Sequence, residues 1–398
     1  MAWRRYIGGA AVQASITLAL ATQAFLAPRI LGAGEYGRSV AAVSLPILAQ
    51  AVLETVLFAL TIKWTSASRV SDLHLLWKDA LVVAPLAGLA AVLISLQSIG
   101  GLSRAEIWAF TVGVPVLLLI WIALTVLMAA AYALHRHAVI VRTYMLSAVL
   151  LPAGIFFLQS YGARAFLFGL LADKIAAFTS LWLDPPVRAL WRRALAAPPP
   201  QGSPGDVRGS YLPVLTPRLT VLMLSPGLVA LGAWLLVPED LAAFKVSLSF
   251  VTGAASLVPV SQHVLQAHWT GPGPESRPGM LREARLVLLG ALLAGVVLSA
   301  ALLAYGDALR AIVLRTSDAT LRRFDVVFLA VPLFVLIGPL SSFLIATERM
   351  RRLAAAFAAC ALGAAMATAW GGPGWGFVTG TVVFVSFACG PLFAALCR

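Results

Sequence analysis

The side chains able to do chemistry in this chain are few, and they lie inside apolar runs. Glu54 stands in the run 39–62 with Gln50 four residues before it and Thr61 seven after, which puts all three on one helical face. A carboxylate so placed can take a cation or a proton, or can be satisfied structurally by a neighbouring helix. Lys245, Ser249, Thr252, Ser256 and His263 also share one helical face, in the run 244–265. That stripe points to a water-filled groove, with a Ser/Thr-glued helix interface as the plain alternative. Arg218 lines up with Tyr211 and Ser225 at seven-residue steps. Its guanidinium can grip a phosphate through two parallel hydrogen bonds, or reach back to the headgroups as a long cationic side chain does. Asp173 and Lys174 are adjacent, about 100° apart on a helix. Each is therefore expected to pair with another helix and not with its neighbour, Asp173 on the face it shares with Ser180.

Other clusters carry no such promise. His135 and His137 flank Arg136 in a turn and do not make a metal site. Cys360, Cys389 and Cys397 lie in or beside the last two apolar runs, which is no disulfide framework. There is no G-x-x-x-x-G-K-[ST] phosphate loop, and the glycines at 371–376 follow no strand, so neither nucleotide motif applies. No cofactor and no metal are expected. Gly376 and Gly380 form a G-x-x-x-G suited to close helix packing.

These residues must be positioned by a membrane. Of 398 residues, 61% are hydrophobic and 11% charged, far below the roughly 25% charged residues of soluble domains. Apolar runs of the length a bilayer requires recur at 6–27, 39–62, 79–99, 107–131, 143–160, 163–183, 211–236, 244–265, 285–305, 325–347, 353–370 and 375–396. The expected fold is an all-α polytopic membrane protein of about twelve transmembrane helices. Arg4 and Arg5 before an apolar run imitate a cleaved leader, but the run from Tyr6 to Ala27 is long for one, and it serves as the first span.

The formal charge of +13 reads as cytoplasmic loops rich in Lys and Arg, and not as a nucleic-acid surface. With the N-terminus inside, 19 of the 29 basic residues fall on the inner side and 9 on the outer, with Lys174 within a span. Both termini are then cytoplasmic, as an even span number requires. Residues 184–210 are Pro- and Gly-rich and basic, and they divide the spans six and six. The expected domains are an N-terminal lobe over 1–183, a cytoplasmic linker over 184–210 and a C-terminal lobe over 211–398.

The halves echo each other. Leu31-Gly32-Ala33-Gly34-Glu35-Tyr36-Gly37 enters span two, and Leu236-Val237-Pro238-Glu239-Asp240-Leu241 enters span eight. Basic turns at 134–137 and 348–352 join spans four to five and ten to eleven. Two like halves suggest parallel repeats, a recurrent transporter architecture with the substrate site between them.

The run Leu31–Gly37 before an apolar span resembles the LGxxxYG signature of Wzx-type polysaccharide exporters, of the multidrug/oligosaccharidyl-lipid/polysaccharide (MOP) superfamily that also holds the MATE transporters. Leu53-Glu54-Thr55-Val56-Leu57 stands where that family often has an acidic [DE]-x-G-L run, although Thr55 and Val56 depart from it. The basic turns resemble the family's Gly-Arg turns without the Gly.

The resemblance implies a non-enzymatic flippase in the bacterial cytoplasmic (inner) membrane. It would move a polyprenyl-diphosphate-linked oligosaccharide, a precursor of polysaccharide or lipopolysaccharide, by alternating access. Arg218, Lys245 and Lys174 would supply a cationic lining beside Ser249, Thr252 and Ser256, while Glu54 and Gln50 would serve a coupling cation, H+ or Na+. The lipid tail would stay among the membrane lipids. A drug/cation antiporter of the same superfamily is the alternative, and would want acidic cavity residues. A lipid II flippase usually has two further helices. A membrane glycosyltransferase or polymerase would want an acidic catalytic motif, and Asp307 and Asp318 in the outer loop look isolated.

Overall fold

A computed structural model describes every residue except 1, 67–68, 98, 101, 198–210, 212–214, 216–218, 258–276, 316–318, 348 and 397–398. Among the described residues there is no strand. The helices are α1 (Ala2–Leu31), α2 (Ala33–Ser66), α3 (Val70–Gln97), α4 (Arg104–Ala133), α5 (His137–Phe157), α6 (Arg164–Trp182) and α7 (Pro185–Ala196), followed by α8 (Leu219–Leu235) and α9 (Pro238–Leu257). The last four are α10 (Arg277–Leu314), α11 (Arg323–Ile345), α12 (Met350–Gly371) and α13 (Pro373–Leu396). Ten helices among the described residues are long and apolar enough to cross a membrane: α1 to α6 and α10 to α13.

In hydrocarbon a helix is the open-chain structure that satisfies its own backbone, which is why apolar runs of this length become helices. Each of α2 to α5 even tolerates an internal proline, at Pro46, Pro85, Pro115 and Pro152. The apolar side chains that face outward, such as Leu286, Leu289, Leu293 and Val297 along α10, suit lipid and would be costly in water.

The expected spans seven and eight differ most. Arg218 and the two prolines before it lie outside the described residues, and α8 begins only at Leu219. Its first part is wound as a π-helix over Met223–Gly227, around Pro226. Span eight starts six residues before its apolar run, because Pro238 fits the first turn and Glu239 and Asp240 favour a helix N-terminus. His263 lies outside the described residues.

The chain divides into two compact units: residues 1–215 with 236–242, and 216–235 with 243–398. In the first, α4 packs on α2, α3 and α6, and α5 packs on α1 and α6. Its core gathers Trp64, Trp77, Leu127, Leu181 and Trp191, with the Trp77 and Trp191 rings stacked at 5.1 Å. In the second, α12 packs on α13, and α10 packs on α11. A Cβ on Gly376 would collide with the Thr368 hydroxyl and one on Gly380 would press Ala364, so the G-x-x-x-G does bring α13 close to α12.

The turn resembling LGxxxYG has a visible packing role. Gly32 takes φ +78°, which admits glycine readily. Tyr36 is buried edge-on against Phe166, and Ser39 donates to the Ala163 carbonyl at 2.9 Å. Gly37 lies so close to the Pro238 backbone that no Cβ fits. The turns at 31–37 and 236–241, matched in the sequence as repeat equivalents, thus touch each other within the first unit. In the basic turn at 134–137, His135 adopts φ +54°, the left-handed backbone state that side chains other than glycine seldom take.

Candidate functional site

The described part of the α9 stripe is built as one helix face. The Ser249 hydroxyl donates to the Lys245 carbonyl at 2.8 Å, and the Thr252 hydroxyl to the Leu248 and Ser249 carbonyls at 3.1 and 3.2 Å. These hydroxyls turn back on their own helix, and among the described residues they donate to no other. Lys245 is half-buried and makes no ion pair or side-chain hydrogen bond with any described residue. Ser256 belongs to the helix, but its side chain is outside the described set, as is Arg218.

The side chain of α9 that does bridge helices is Ser247, on another face. It accepts from Arg310 Nη1 at 3.1 Å. Arg310 is 2% exposed, and its other donors go to Asp307 and Asp325. Asp307, which looks isolated along the sequence, is therefore an ion-pair partner one turn before Arg310 at 3.1 Å. Asp307, expected in an outer loop, lies with Arg310 inside α10. Sequence reasoning missed this cluster because Asp325 approaches from α11; the i, i+3 spacing of Asp307 and Arg310 was its one local signal.

In the first unit Gln50 is buried and donates to the Glu54 carboxylate one turn on. Tyr144 of α5 lies within electrostatic reach of Glu54. Thr61, further along the same face, is fully buried and accepts from Trp77 Nε1 at 3.1 Å. The α2 stripe therefore faces neighbouring helices of its own unit.

Asp173 and Lys174 behave otherwise than their helical angle predicts. The Lys174 ammonium reaches back to within 2.7 Å of the Asp173 carboxylate and sits 4.8 Å from the Trp121 ring centre. A lysine has four methylenes, so its charge can swing to a neighbour that its Cβ points away from. The contact lacks hydrogen-bond geometry, and Asp173 is 1% exposed with neither oxygen hydrogen-bonded. Ser180, expected to share a face with Asp173, receives Arg142 and Thr143 instead, at 3.1 and 3.2 Å. Among the described residues no group of three His, Cys, Asp or Glu side chains could hold a metal ion.

Among the described residues, one unit thus offers an ammonium without an ion pair beside hydroxyls and the other a partnered carboxylate, on a helical membrane scaffold. That fold is shared with solved membrane-protein structures. It is similar to the lipid II flippase MurJ in its inward closed conformation, with TM-score 0.74 at 9% identity over 98% of this chain and 87% of that one. It is also similar to the eukaryotic MATE transporter AtDTX14, with TM-score 0.59 at 17% identity over 98% and 94% of the two chains. A MATE transporter in complex with MaL6 aligns with TM-score 0.62 at 14% identity, over 98% and 96%. No family description and no curated protein sequence matches this chain.

Proposed function

We propose that the protein is a flippase for a polyprenyl-diphosphate-linked oligosaccharide, working by alternating access between lobes at 1–183 and 211–398 connected through 184–210, whose first part, α7, packs on the N-terminal lobe. The observation that carries this reading is Lys245, a half-buried ammonium with no ion pair among the described residues, on the helix α9 that this reading takes as span eight. An ionisable group kept in a spanning segment faces a cavity as a rule, because lipid will not solvate it. A diphosphate is a ligand that an ammonium can neutralise at close range. Ser249, Thr252 and Ser256 follow on the same face for the sugar hydroxyls, and Arg218 adds a bidentate phosphate donor. Lys174, already on Asp173, is left out of this set.

In this reading both termini are cytoplasmic, as the charge bias favours, and the membrane is the bacterial inner membrane. Glu54, steadied by Gln50, holds the coupling cation, H+ or Na+. No covalent step is required of any residue.

A second reading, a drug/cation antiporter, is favoured by Glu54 and Asp173, two carboxylates inside the first unit. One experiment separates the two. In a strain deleted for this gene, undecaprenyl-linked intermediates on the cytoplasmic leaflet should accumulate and return to normal with the wild-type gene, but not with Lys245→Met. Intact glycan export with new sensitivity to cationic dyes would replace the flippase with the antiporter.

A further inference from the structure

The first unit carries its charge unevenly from end to end. At the end formed by the start of α2, α4 and α6, with residues 236–242, four bases face four acids: Arg29, Arg38, Arg104 and Arg164 against Glu35, Glu106, Glu239 and Asp240. At the opposite end the acids are Asp72, Asp79 and Asp184. Asp72 is bonded to Arg69 and Asp184 to Arg136. Exposed Lys63 and Lys78 and the arginines of α7 are added there without ion-pair partners among the described residues.

Helix α7 is built to hold a fixed cationic face. Asp184 caps it, accepting from the Val187 amide at 3.3 Å, and Pro185 and Pro186 start it. His74 Nδ1 lies 3.2 and 3.1 Å from the Ala194 and Leu195 carbonyls; because carbonyls only accept, that nitrogen donates, closing the helix C-terminus. Val187, Leu190, Trp191 and Ala194 are buried against α3, α4 and α6. The opposite side presents Arg188, Arg192 and Arg193, with Leu183 and Leu195 exposed at 63% and 42% beside them. The helix follows directly on the end of α6, and so lies where a spanning helix leaves the hydrocarbon.

We infer that the outer face of α7 is a docking surface for anionic phospholipid headgroups. Three guanidiniums fixed on one side of a short helix at the membrane boundary match a layer of phosphates in charge and position. The flanking leucines enter the acyl boundary, as the apolar residues of interfacial helices do. The buried face, with Trp191 stacked on Trp77, holds the helix in place before lipid arrives, so little ordering entropy opposes binding. This surface is independent of which substrate is carried.

The test uses the full-length purified protein in a zwitterionic detergent, titrated with phosphatidylglycerol or phosphatidylcholine while the unfolding temperature is followed. The wild type is expected to gain stability selectively from phosphatidylglycerol. R188A/R192A/R193A is expected to bind it about a hundredfold more weakly, at roughly fivefold per basic side chain near a headgroup layer. Its unfolding temperature in phosphatidylcholine should match the wild type, because alanine is a good helix former and the buried face is untouched. The lysine counterpart R188K/R192K/R193K should keep the selectivity, and Arg104→Ala, at the charge-balanced end, should not disturb it. Equal response of the wild type to both lipids, or undiminished selectivity in the triple alanine variant, overturns the inference. So does displacement of phosphatidylglycerol by inorganic pyrophosphate, which would make this a site for free phosphate.

Discussion

Arg310 and Lys245 are both cations in the second unit, and their surroundings could hardly differ more. Arg310 is almost fully buried, and its fork of donors is divided among Asp307, Asp325 and Ser247. Lys245 enters α9 two residues before Ser247, and its ammonium meets no acid among the described residues. A buried charge held by two carboxylates and a hydroxyl is a fixed part of the packing, joining α9, α10 and α11. A charge kept without a protein partner is costly unless something else binds there. The contrast separates structure from function among residues that are alike in composition.

The largest effect that sharpens the contrast is expected at Arg310. Arg310→Ala strands two carboxylates, and removing one partner of a buried ion pair costs about 3–5 kcal/mol. Thermal unfolding of the purified variant should show that loss, with poor membrane yield. If unfolding were unchanged, the cluster would not be the clamp its geometry describes. Asp325→Asn keeps the shape but removes the carboxylate charge from the guanidinium, and should cost less, about 1–3 kcal/mol.

Lys245→Met tests the other side of the comparison. It should leave the unfolding temperature equal to or above the wild type, since a cation with no ion pair among the described residues is replaced by a flexible apolar side chain. Transport should nonetheless be lost in the complementation assay. A stability loss as large as that of Arg310→Ala would mean that Lys245 is also structural.

The smallest effects concern the hydroxyls. Ser247→Ala removes one hydrogen bond to a charged group and should cost about 1 kcal/mol. Ser249→Ala removes a bond that only doubles back on its own helix, and should stay within about 0.5 kcal/mol in the unfolding assay. A reduced transport rate in Ser249→Ala with unaltered stability would place that hydroxyl on the substrate side.

The spans were legible because hydrocarbon imposes a demand that is local in the chain: about 20 apolar residues and internally satisfied backbone. Hence α1 to α6 and α10 to α13 follow the runs read from composition. The packing role of Gly376 and Gly380 was also local, carried by a four-residue spacing. The stripes on α2 and α9 followed from helical periodicity, but periodicity does not say what a face meets.

Three matters were decided only in three dimensions. Thr61 bonds to Trp77 because α3 folds back onto α2, a contact no spacing along α2 can reveal. Lys174 reaches Asp173 although their Cβ atoms diverge, because a flexible stem carries the charge further than the backbone angle implies. Arg310 gains Asp325 from another helix, and so passes from a loop cation to a buried clamp. The sequence by itself determined that this chain is a helical membrane protein and which side chains are expensive to keep there, since both depend on transfer from water to hydrocarbon. Which of those side chains are neutralised and which stay open was decided by the tertiary structure, because pairing depends on distances of a few ångströms between helices far apart in the chain.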